Sequence, residues 1–262
     1  MNPPMAAEPV IYEYPCTEKI RVCLRLEESI RRMEYFIEQD NRTAHLSAFR
    51  ILFDLIELTT RSDLRKDLIQ ELQRLRAALS SPARPIRIDD EAAAEYLPEI
   101  IRTVQGLATP APASRSPQSL RDSDWLSLIR TRSGMPGGNC CFDLPSLHYW
   151  LGRPFEERRG QFLEWLASSH SIRDAVQLIL GILRSTAVWR PCQAKAGSAR
   201  LQVPANTNLG LVQVLMPAES IHIPEVSVNK FMLWIHFLDA AERMRTPPSR
   251  SDIEFDIGLC AI

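Results

Sequence analysis

The segment NCCFDLPSLHYWL, residues 139–151, contains residue types that are well suited to chemistry. Two adjacent cysteines, Cys140 and Cys141, are followed by Asp143 and His148. Thiolates and imidazoles bind zinc, and a cysteine beside a histidine can act as a nucleophile. Three hypotheses follow: a metal site, a nucleophile with its base, and the start of a helix that recognises a partner.

The spacing of these residues does not favour a structural zinc site. Such sites usually combine two pairs of ligands with short spacings, and adjacent cysteines chelate one tetrahedral ion awkwardly. His170, His222 and His236 stand alone in the sequence and supply no second pair. We therefore predict no metal site, and we expect one or both cysteines to be buried as small apolar residues.

A catalytic pair of Cys141 and His148 is also disfavoured. On one helix the two residues would share a face but lie two turns, or roughly 10 Å, apart, too far for a hydrogen bond. The loop before Asp143 could fold back, but no orienting carboxylate or oxyanion hole is apparent. GMPGG lacks the residues of a phosphate-binding loop, and neither HExxH nor GxSxG occurs. We predict no catalytic residues, no cofactor and no enzymatic activity.

The third hypothesis, a helix start, fits the segment better. Asp143 is a suitable N-cap, and Pro145 fits the first turn, where its missing N–H costs nothing. Three leucines are expected to face the core, with His148 and Trp150 turned elsewhere; these leucines are Leu144, Leu147 and Leu151.

Helical periodicity of apolar residues extends from about residue 17 to 188 and predicts a helical domain over residues 16–188. Thr17 is the expected N-cap of the first helix. Pro98 is expected to kink or interrupt a helix over 90–106. Residues 107–117, which include TPAPASRSP, are expected to form a poorly ordered surface loop, and SSPARPIRI is expected to be a linker. The other helices are expected at about 42–60, 62–79, 121–132, 143–152, 154–168 and 171–186.

After Pro191 the apolar period changes to two, which predicts strands. KFMLWIHFL places Phe231 on one face with Leu233, Ile235 and Phe237, and DIEFDIGLC alternates in the same way. RLQV and GLVQVL are shorter candidates. The strand VIYEY, residues 10–14, must pair somewhere, and we place it in the C-terminal sheet. The prediction is an α+β protein with a β-rich domain over residues 189–262 that includes the N-terminal strand 9–14.

Composition excludes several classes of protein. The chain has 262 residues, 45% of them hydrophobic, and a formal net charge of -1, so wholesale binding to nucleic acid or anionic lipid is not implied. Neither a signal peptide nor an apolar run long enough for a transmembrane helix is found. Six cysteines in a chain of this length do not suggest a secreted disulfide framework, so we expect a cytosolic protein.

The strings YEYPCTEKIRVCLRLEESI, FRILFDLIELTTRSDLRKDLIQEL, PGGNCCFDLPSLHYWL and DIEFDIGLC closely resemble the ZapD family. The likeness extends from about residue 9 to 260. The resemblance implies a helical domain with a β-rich domain, a homodimer and no catalysis. It also implies a cytoplasmic protein at the midcell division site. There it would bind the C-terminal tail of the tubulin-like protein FtsZ and bundle FtsZ filaments to stabilise the Z-ring.

The resemblance also suggests which residues bind the FtsZ tail. Arg25 in CLRLE and His148 in SLHYWL match positions of the family's basic peptide-binding surface. Arg21 lies one helical turn before Arg25, and Arg121 is a fourth candidate; Arg130 and Arg132 complete the set. Some relatives carry a basic residue where this chain has Asp124, and the 107–117 insertion lies just upstream. We expect that the loss of this basic residue either weakens binding in the pocket or is compensated by the positive charge of Arg130.

Two other functions fit the same residues. The arginine stripe would also suit a module of this fold that binds another protein or RNA. Cys140 and Cys141 would suit a thiol enzyme or a redox sensor. Competition by an FtsZ tail peptide but not by RNA would distinguish FtsZ binding from the first alternative. Full activity after replacement of both cysteines would exclude the second.

Overall fold

The computed structural model describes residues 8–61, 63–81, 88–109, 116–204, 207–240 and 246–261. The chain begins with strand β1 (Val10–Pro15), continues through a series of helices, and ends in a series of strands. The helices are α1 (Glu18–Ile37), α2 (Arg42–Thr59), α3 (Leu64–Ser80), α4 (Asp90–Ala108), α5 (Pro117–Arg121), α6 (Asp124–Ser133), α7 (Pro145–Leu151), α8 (Phe155–Ala167) and α9 (His170–Ser185). The remaining strands are β2 (Val188–Ala194), β3 (Ser198–Gln202), β4 (Leu209–Met216), β5 (His222–Val228), β6 (Met232–Asp239) and β7 (Ile253–Ala261). The predicted α+β class is confirmed.

Side-chain caps determine where several helices begin. The hydroxyl of Thr17 accepts from the backbone N–H of Ile20 at 3.3 Å, as predicted. Asn41 accepts from Thr43 and Ala44 at the start of α2. Ser116 and Ser123 cap α5 and α6 in the same way. Helix α6 corresponds to the helix predicted at about 121–132, and α5, which precedes it, was not predicted. Each cap satisfies backbone donors that the first turn of a helix leaves without partners.

One sequence prediction about a break between helices needs correction, and another is decided in part. Helix α4 continues through Pro98, so the proline does not interrupt the helix, and a kink there stays a prediction. The predicted loop over 107–117 is shortened at both ends, because α4 extends to Ala108 and α5 begins at Pro117. Residues 110–115 of that loop, and most of the SSPARPIRI linker, lie outside the described residues.

The strands form two antiparallel sheets. One has the order β1-β4-β7-β2, and the other has the order β3-β6-β5. Strand β1 pairs with β4, with Tyr12 opposite Val214, so the predicted place of the N-terminal strand in the C-terminal sheet is confirmed. Strand β5 was not predicted, because HIPEVSV combines a proline with polar residues and hides the alternation.

Alternating apolar residues from both sheets make a common buried core. Val212 and Val214 of β4, Ile235 of β6 and Ile257 of β7 are fully buried. Phe231, which the sequence placed on one face with Leu233, Ile235 and Phe237, does not join them in this core, because it is 70% exposed and precedes β6. The carboxamide of Asn229 accepts from the backbone N–H groups of Phe231 and Met232, which ends the hairpin turn there.

A half-buried ion pair connects β1 to α9 and β4. Arg184 donates two hydrogen bonds to the carboxylate of Glu13, at 2.8 and 2.7 Å, and Gln213 donates a third at 2.8 Å. Burial alone would raise the pKa of Glu13, but the hydrogen bonds from Arg184 and Gln213 outweigh burial and hold that pKa below its ordinary value. These contacts fix the N-terminal strand against the C-terminal part of the chain.

The chain divides into two compact units. One comprises the described residues of Met1–Arg21, Arg74–Leu97 and Leu180–Ile262, and includes both sheets. The other comprises the described residues of Val22–Gln73 and Pro98–Ile179, and is helical. The predicted domains, residues 16–188 and residues 189–262 with strand 9–14, stay a prediction. No helix in the described ranges is both long and apolar enough to cross a bilayer.

Candidate functional site

An aromatic cluster in the helical unit positions four helices around one centre. Phe49 of α2 contacts Trp125 of α6, Trp150 of α7 and Phe162 of α8, with ring centroids 5.9, 5.1 and 5.0 Å apart. Trp165 of α8 stacks on Trp150 at 6.2 Å. Each large aromatic ring buries much apolar area, so the cluster holds α6 and α7 in fixed positions.

Two indole hydrogen bonds fix α7 further. Trp125 donates from Nε1 to the hydroxyl of Ser146 at 3.1 Å, and Trp150 donates from Nε1 to Oε1 of Gln161 at 2.5 Å. Trp150 is only 5% exposed, so the prediction that it turns away from the core is wrong. Its ring packs inward because Gln161 satisfies the polar end of the indole. His148 and Tyr149 then occupy the exposed side of α7.

The predicted N-cap at Asp143 is also wrong. The N-cap position is Leu144, which makes no side-chain cap, and Pro145 begins the helix as predicted. The backbone N–H groups of Asp143 and Leu144 both donate to the carbonyl of Cys140 at 3.0 Å. A backbone turn therefore leads into α7, and Asp143 lies one residue too early to cap it.

Both cysteines of the opening segment are exposed, which corrects the expectation that one or both are buried. The segment before α7 is a series of turns in which Cys140 donates to the carbonyl of Gly137 at 3.2 Å. Ser133 donates to Oδ1 of Asn139 at 2.7 Å and ties the segment to the end of α6. Because the backbone is fixed from both sides, the cysteine side chains are left at the surface.

Gly138 supports this segment by allowing a close approach of two backbones. An added Cβ would lie 1.9 Å from the carbonyl oxygen of Arg132 and 2.9 Å from its carbonyl carbon. We expect Gly138→Ala to lower the free energy of unfolding by about 1–3 kcal/mol, because the backbone must move to relieve the clash. Urea denaturation with tryptophan fluorescence measures this change.

Gly160→Ala is the matched control for that substitution. Gly160 lies in the exposed part of α8, and nothing is within 4 Å of an added Cβ. Alanine is preferred to glycine in a helix interior, so this variant should gain up to about 1 kcal/mol. If Gly138→Ala were as stable as the parent chain, the close approach to Arg132 would not matter for the fold.

A buried histidine and arginine, which the sequence analysis did not single out, hold the start of α8. Arg158 donates to the carbonyl of Arg153 at 3.0 Å and to Asp40 at 2.9 Å, and its Nη1 lies 2.7 Å from Nδ1 of His45. Nε2 of His45 lies 3.3 Å from the carbonyl of Ile37. Since an arginine can only donate, Nδ1 of His45 accepts and Nε2–H donates, which is the neutral imidazole.

The pKa of His45 is accordingly lowered from its ordinary value of 6.5. Burial is the main cause, and the positive charge of Arg158 adds to it. Below about pH 6.5 the unfolded chain binds a proton that the folded protein excludes, so stability falls as the pH falls. We expect the free energy of unfolding to drop by up to about 1.4 kcal/mol per pH unit from this group.

Urea denaturation at about pH 7.5 and about pH 5.5 tests this pH dependence. His45→Gln is the control, because glutamine has both an acceptor and a donor but does not titrate. The variant should lose less stability than the parent chain between the two pH values. Equal losses in the two proteins would show that His45 does not carry the pH dependence.

All six residues predicted to bind the tail are exposed; they are Arg21, Arg25, Arg121, Arg130, Arg132 and His148. Arg21 pairs with Glu18 at 3.0 Å on the surface of α1. Arg121 donates weakly to Thr60 at 3.4 Å, and Arg132 lies 3.9 Å from the sulfur of Met135. Within the described ranges, Arg25, Arg130 and His148 have neither a side-chain hydrogen bond nor an ion pair.

The helices that carry Arg121, Arg130 and His148 are connected to one another. Helices α2, α5 and α6 pack together, and Arg121 lies in the last turn of α5 and Arg130 in the last turn of α6. The Trp125–Ser146 hydrogen bond connects α6 to α7, the helix of His148. No contact between described side chains joins Arg25 to these residues, so its place in a common site stays a prediction.

Asp124, which we expect to depart from the family pattern, lies at the start of α6. It is exposed in the first turn of α6, directly after the cap residue Ser123. A carboxylate there interacts favourably with the positive end of the helix dipole. Whether Arg130 compensates for Asp124 in binding stays a prediction. Among the described residues, no group of three or more His, Cys, Asp or Glu side chains is arranged to hold a metal ion.

Comparison with known proteins gives a consistent result over almost the whole chain. The family described as "ZapD: Cell division protein" matches residues 24–236, a range that includes Arg25, Arg121, Arg130, Arg132 and His148. The protein from Aromatoleum aromaticum named cell division protein ZapD is 38% identical over 259 residues, or 98% of this chain and 100% of its own length. Proteins of the same name from Cupriavidus necator and Ralstonia pickettii are 38% and 35% identical over 96% of this chain and 99% of theirs. The chain therefore belongs to the ZapD family of cell division proteins.

Proposed function

We propose that this protein binds the C-terminal tail of FtsZ and, as a homodimer, cross-links FtsZ filaments into bundles that stabilise the Z-ring. The observation that carries the proposal is a set of exposed basic side chains without carboxylate partners among the described residues. These are Arg25, Arg121, Arg130, Arg132 and His148. Because these side chains form no ion pair within the described ranges, they can bind the carboxylates of an acidic peptide. The family's role in cell division suggests that this peptide belongs to the division machinery.

Charge contrast within the helical unit supports this assignment. Arg159 is held by two hydrogen bonds to Glu38, at 3.0 and 2.8 Å, and Arg173 pairs with Glu34 and Asp174. These guanidinium groups already have internal partners, and binding a peptide through them would break existing bonds. Arg25 loses no such partner on binding, and its planar fork can bind a carboxylate with two parallel hydrogen bonds.

Exposed aromatic side chains beside His148 would supply apolar contacts for the same peptide. Phe142 is 76% exposed just before α7, and Tyr149 is 77% exposed within it. A peptide with acidic and apolar residues needs both kinds of contact, because aromatic anchors provide most of the binding energy and charges provide orientation. The segment 142–149 carries exposed aromatic side chains and the basic side chain of His148.

Bivalency explains how a weak site could bundle filaments. A dimer with one peptide site in each subunit can hold tails from two filaments at once. A filament displays many tails, so the second binding event occurs at a high effective concentration. The proposed activity therefore requires no catalysis, no cofactor and no nucleic acid, and it would take place at the midcell division site in the cytoplasm.

Co-sedimentation with GTP-assembled FtsZ tests the proposal. Full-length FtsZ should carry the protein into bundles, and FtsZ without its C-terminal tail should not. Absence of pelleting with either form, from a folded dimer, would exclude FtsZ as the partner. Pelleting that survives deletion of the tail would keep the partner but place the binding site elsewhere.

Competition distinguishes this partner from an RNA. A synthetic FtsZ tail peptide should release the protein from the filaments, and an unstructured RNA at the same ionic strength should not. Ionic strength must be matched because binding to phosphates depends strongly on salt. Release by RNA alone would favour the nucleic-acid alternative.

A further inference from the structure

The cysteines of this chain fall into two classes of exposure. Cys140 and Cys141 are exposed, and the others are buried or half-buried; these are Cys16, Cys23, Cys192 and Cys260. Burial raises the pKa of Cys16 to about 11 and those of Cys23 and Cys260 to about 12. The thiolate is the nucleophilic form of cysteine, so burial suppresses both access and reactivity at these positions.

The two exposed cysteines belong to an ordered segment. Cys140 donates its backbone N–H to Gly137, and its carbonyl accepts from Asp143 and Leu144. These hydrogen bonds hold the backbone, but within the described residues neither thiol has a hydrogen-bond partner. Two adjacent soft nucleophiles are therefore presented to solvent immediately before α7, the helix that carries His148.

We propose that the Cys140–Cys141 dithiol is a modification site for small disulfides such as glutathione disulfide. One thiolate attacks a sulfur of the reagent, a new sulfur–sulfur bond forms to the protein, and the reagent's sulfur–sulfur bond breaks. The electron pair leaves with the second glutathione as a thiolate, which takes a proton from water. The cysteine is oxidised, one half of the reagent is reduced, and no further oxidant is needed.

The mixed disulfide is the expected product, and a bond between the two cysteines is not. Adjacent residues have Cα atoms about 3.8 Å apart across a trans peptide bond. Ordinary disulfides require Cα atoms about 4.4–6.8 Å apart, and departures from that range make the bond strained and easily reduced. The second thiol can attack the mixed disulfide, but the ring that results is disfavoured, so the glutathione adduct persists.

The adduct would also affect the proposed tail site, a consequence that rests on the proposed function. Glutathione joined through sulfur has two carboxylates and one ammonium group, so each adduct adds one net negative charge beside the segment of Phe142, His148 and Tyr149. An acidic tail is then repelled by a charge next to its binding surface. A single like charge at the surface should weaken binding by roughly fivefold, and added salt should reduce the effect.

Mass spectrometry of the full chain tests the modification itself. After incubation with glutathione disulfide, the intact mass should increase by one or two glutathionyl groups, and peptide mapping should place them on residues 140 and 141. The Cys140→Ser, Cys141→Ser double variant should remain unmodified under the same conditions. Modification of the double variant to the same extent, or a parent product that lacks only two hydrogens, would overturn the proposal.

Affinity for the FtsZ tail peptide tests the consequence. Fluorescence anisotropy would compare the reduced protein, the glutathione adduct, and a mixed disulfide with an uncharged methylthio group from methyl methanethiosulfonate. Weaker binding by the glutathione adduct alone supports a charge effect, and equal binding by all three overturns it. If the reduced protein does not bind the peptide, the proposed function and this consequence both fail, while the mass result still decides the modification site.

Discussion

Replacing Arg25 with glutamate is expected to abolish tail-dependent bundling of FtsZ while leaving the protein folded. Arg25 is exposed on α1, and in the described part of the chain its side chain forms neither a hydrogen bond nor an ion pair that the substitution would break. The substitution replaces a charge that would bind a tail carboxylate with one that repels it. We expect at least about tenfold weaker binding of the tail peptide.

Co-sedimentation with FtsZ and anisotropy with the tail peptide measure this loss, and circular dichroism checks the fold. Arg31→Glu is the matched control, because it makes the same charge change on the same helix. Arg31 pairs with Glu28 at 2.7 Å, and six residues of helix turn it to a different face from Arg25. The control should bundle FtsZ normally.

A double variant provides the stronger test of the site. Arg25→Glu combined with His148→Ala removes both of the first two candidates from the proposed surface. Both residues are exposed, so the fold should survive the two changes. Unchanged bundling by a well-folded double variant would show that the tail binds elsewhere on this protein.

The sequence predicted the fold well because its periodic patterns are strong and local. Thr17 begins the first helix as expected, and the strand that pairs Tyr12 with Val214 was placed in the correct sheet. The failures occur where a local contact overrides a pattern. The sequence places Phe231 on one face with Leu233, but Phe231 precedes β6 because the carboxamide of Asn229 turns the chain there.

The local structure around α7 could not be predicted from sequence. Free cysteines are usually buried, and Asp143 has the side chain of a good cap. Backbone hydrogen bonds and the Ser133–Asn139 contact hold the turns in which Cys140 is exposed and Leu144 is the N-cap residue, and no sequence pattern indicates these bonds. The basic site residues were inferred only from family resemblance, because sequence alone does not distinguish a partnerless surface arginine from a paired one.

The buried His45–Arg158 contact shows the same limit at a larger separation. His45 lies on the apolar face of α2, which is a sequence signal for a buried and hydrogen-bonded histidine but does not identify its partner. Arg158 lies 113 residues away and forms the contact only after α2 and α8 pack together. A pattern confined to one element cannot identify such a pair.

Replacing Arg158 with alanine is expected to be among the most destabilising changes in the helical unit. The residue is 4% exposed, and its guanidinium contacts His45, Asp40 and the carbonyl of Arg153. Alanine leaves a cavity and removes the donor from the buried Nδ1 of His45. We expect a loss of about 3–5 kcal/mol in the free energy of unfolding, since removing one partner leaves buried polar groups unsatisfied.

Arg159→Ala is the control for that change, because the next residue has the same side chain in a different environment. Arg159 forms a surface pair with Glu38, and such exposed pairs contribute little to stability because water and salt screen them. Urea denaturation at neutral pH should show a large shift of the midpoint for Arg158→Ala and a small one for Arg159→Ala. Equal shifts would mean that burial of Arg158 does not determine its contribution, and that the contact with His45 is dispensable for the position of α8.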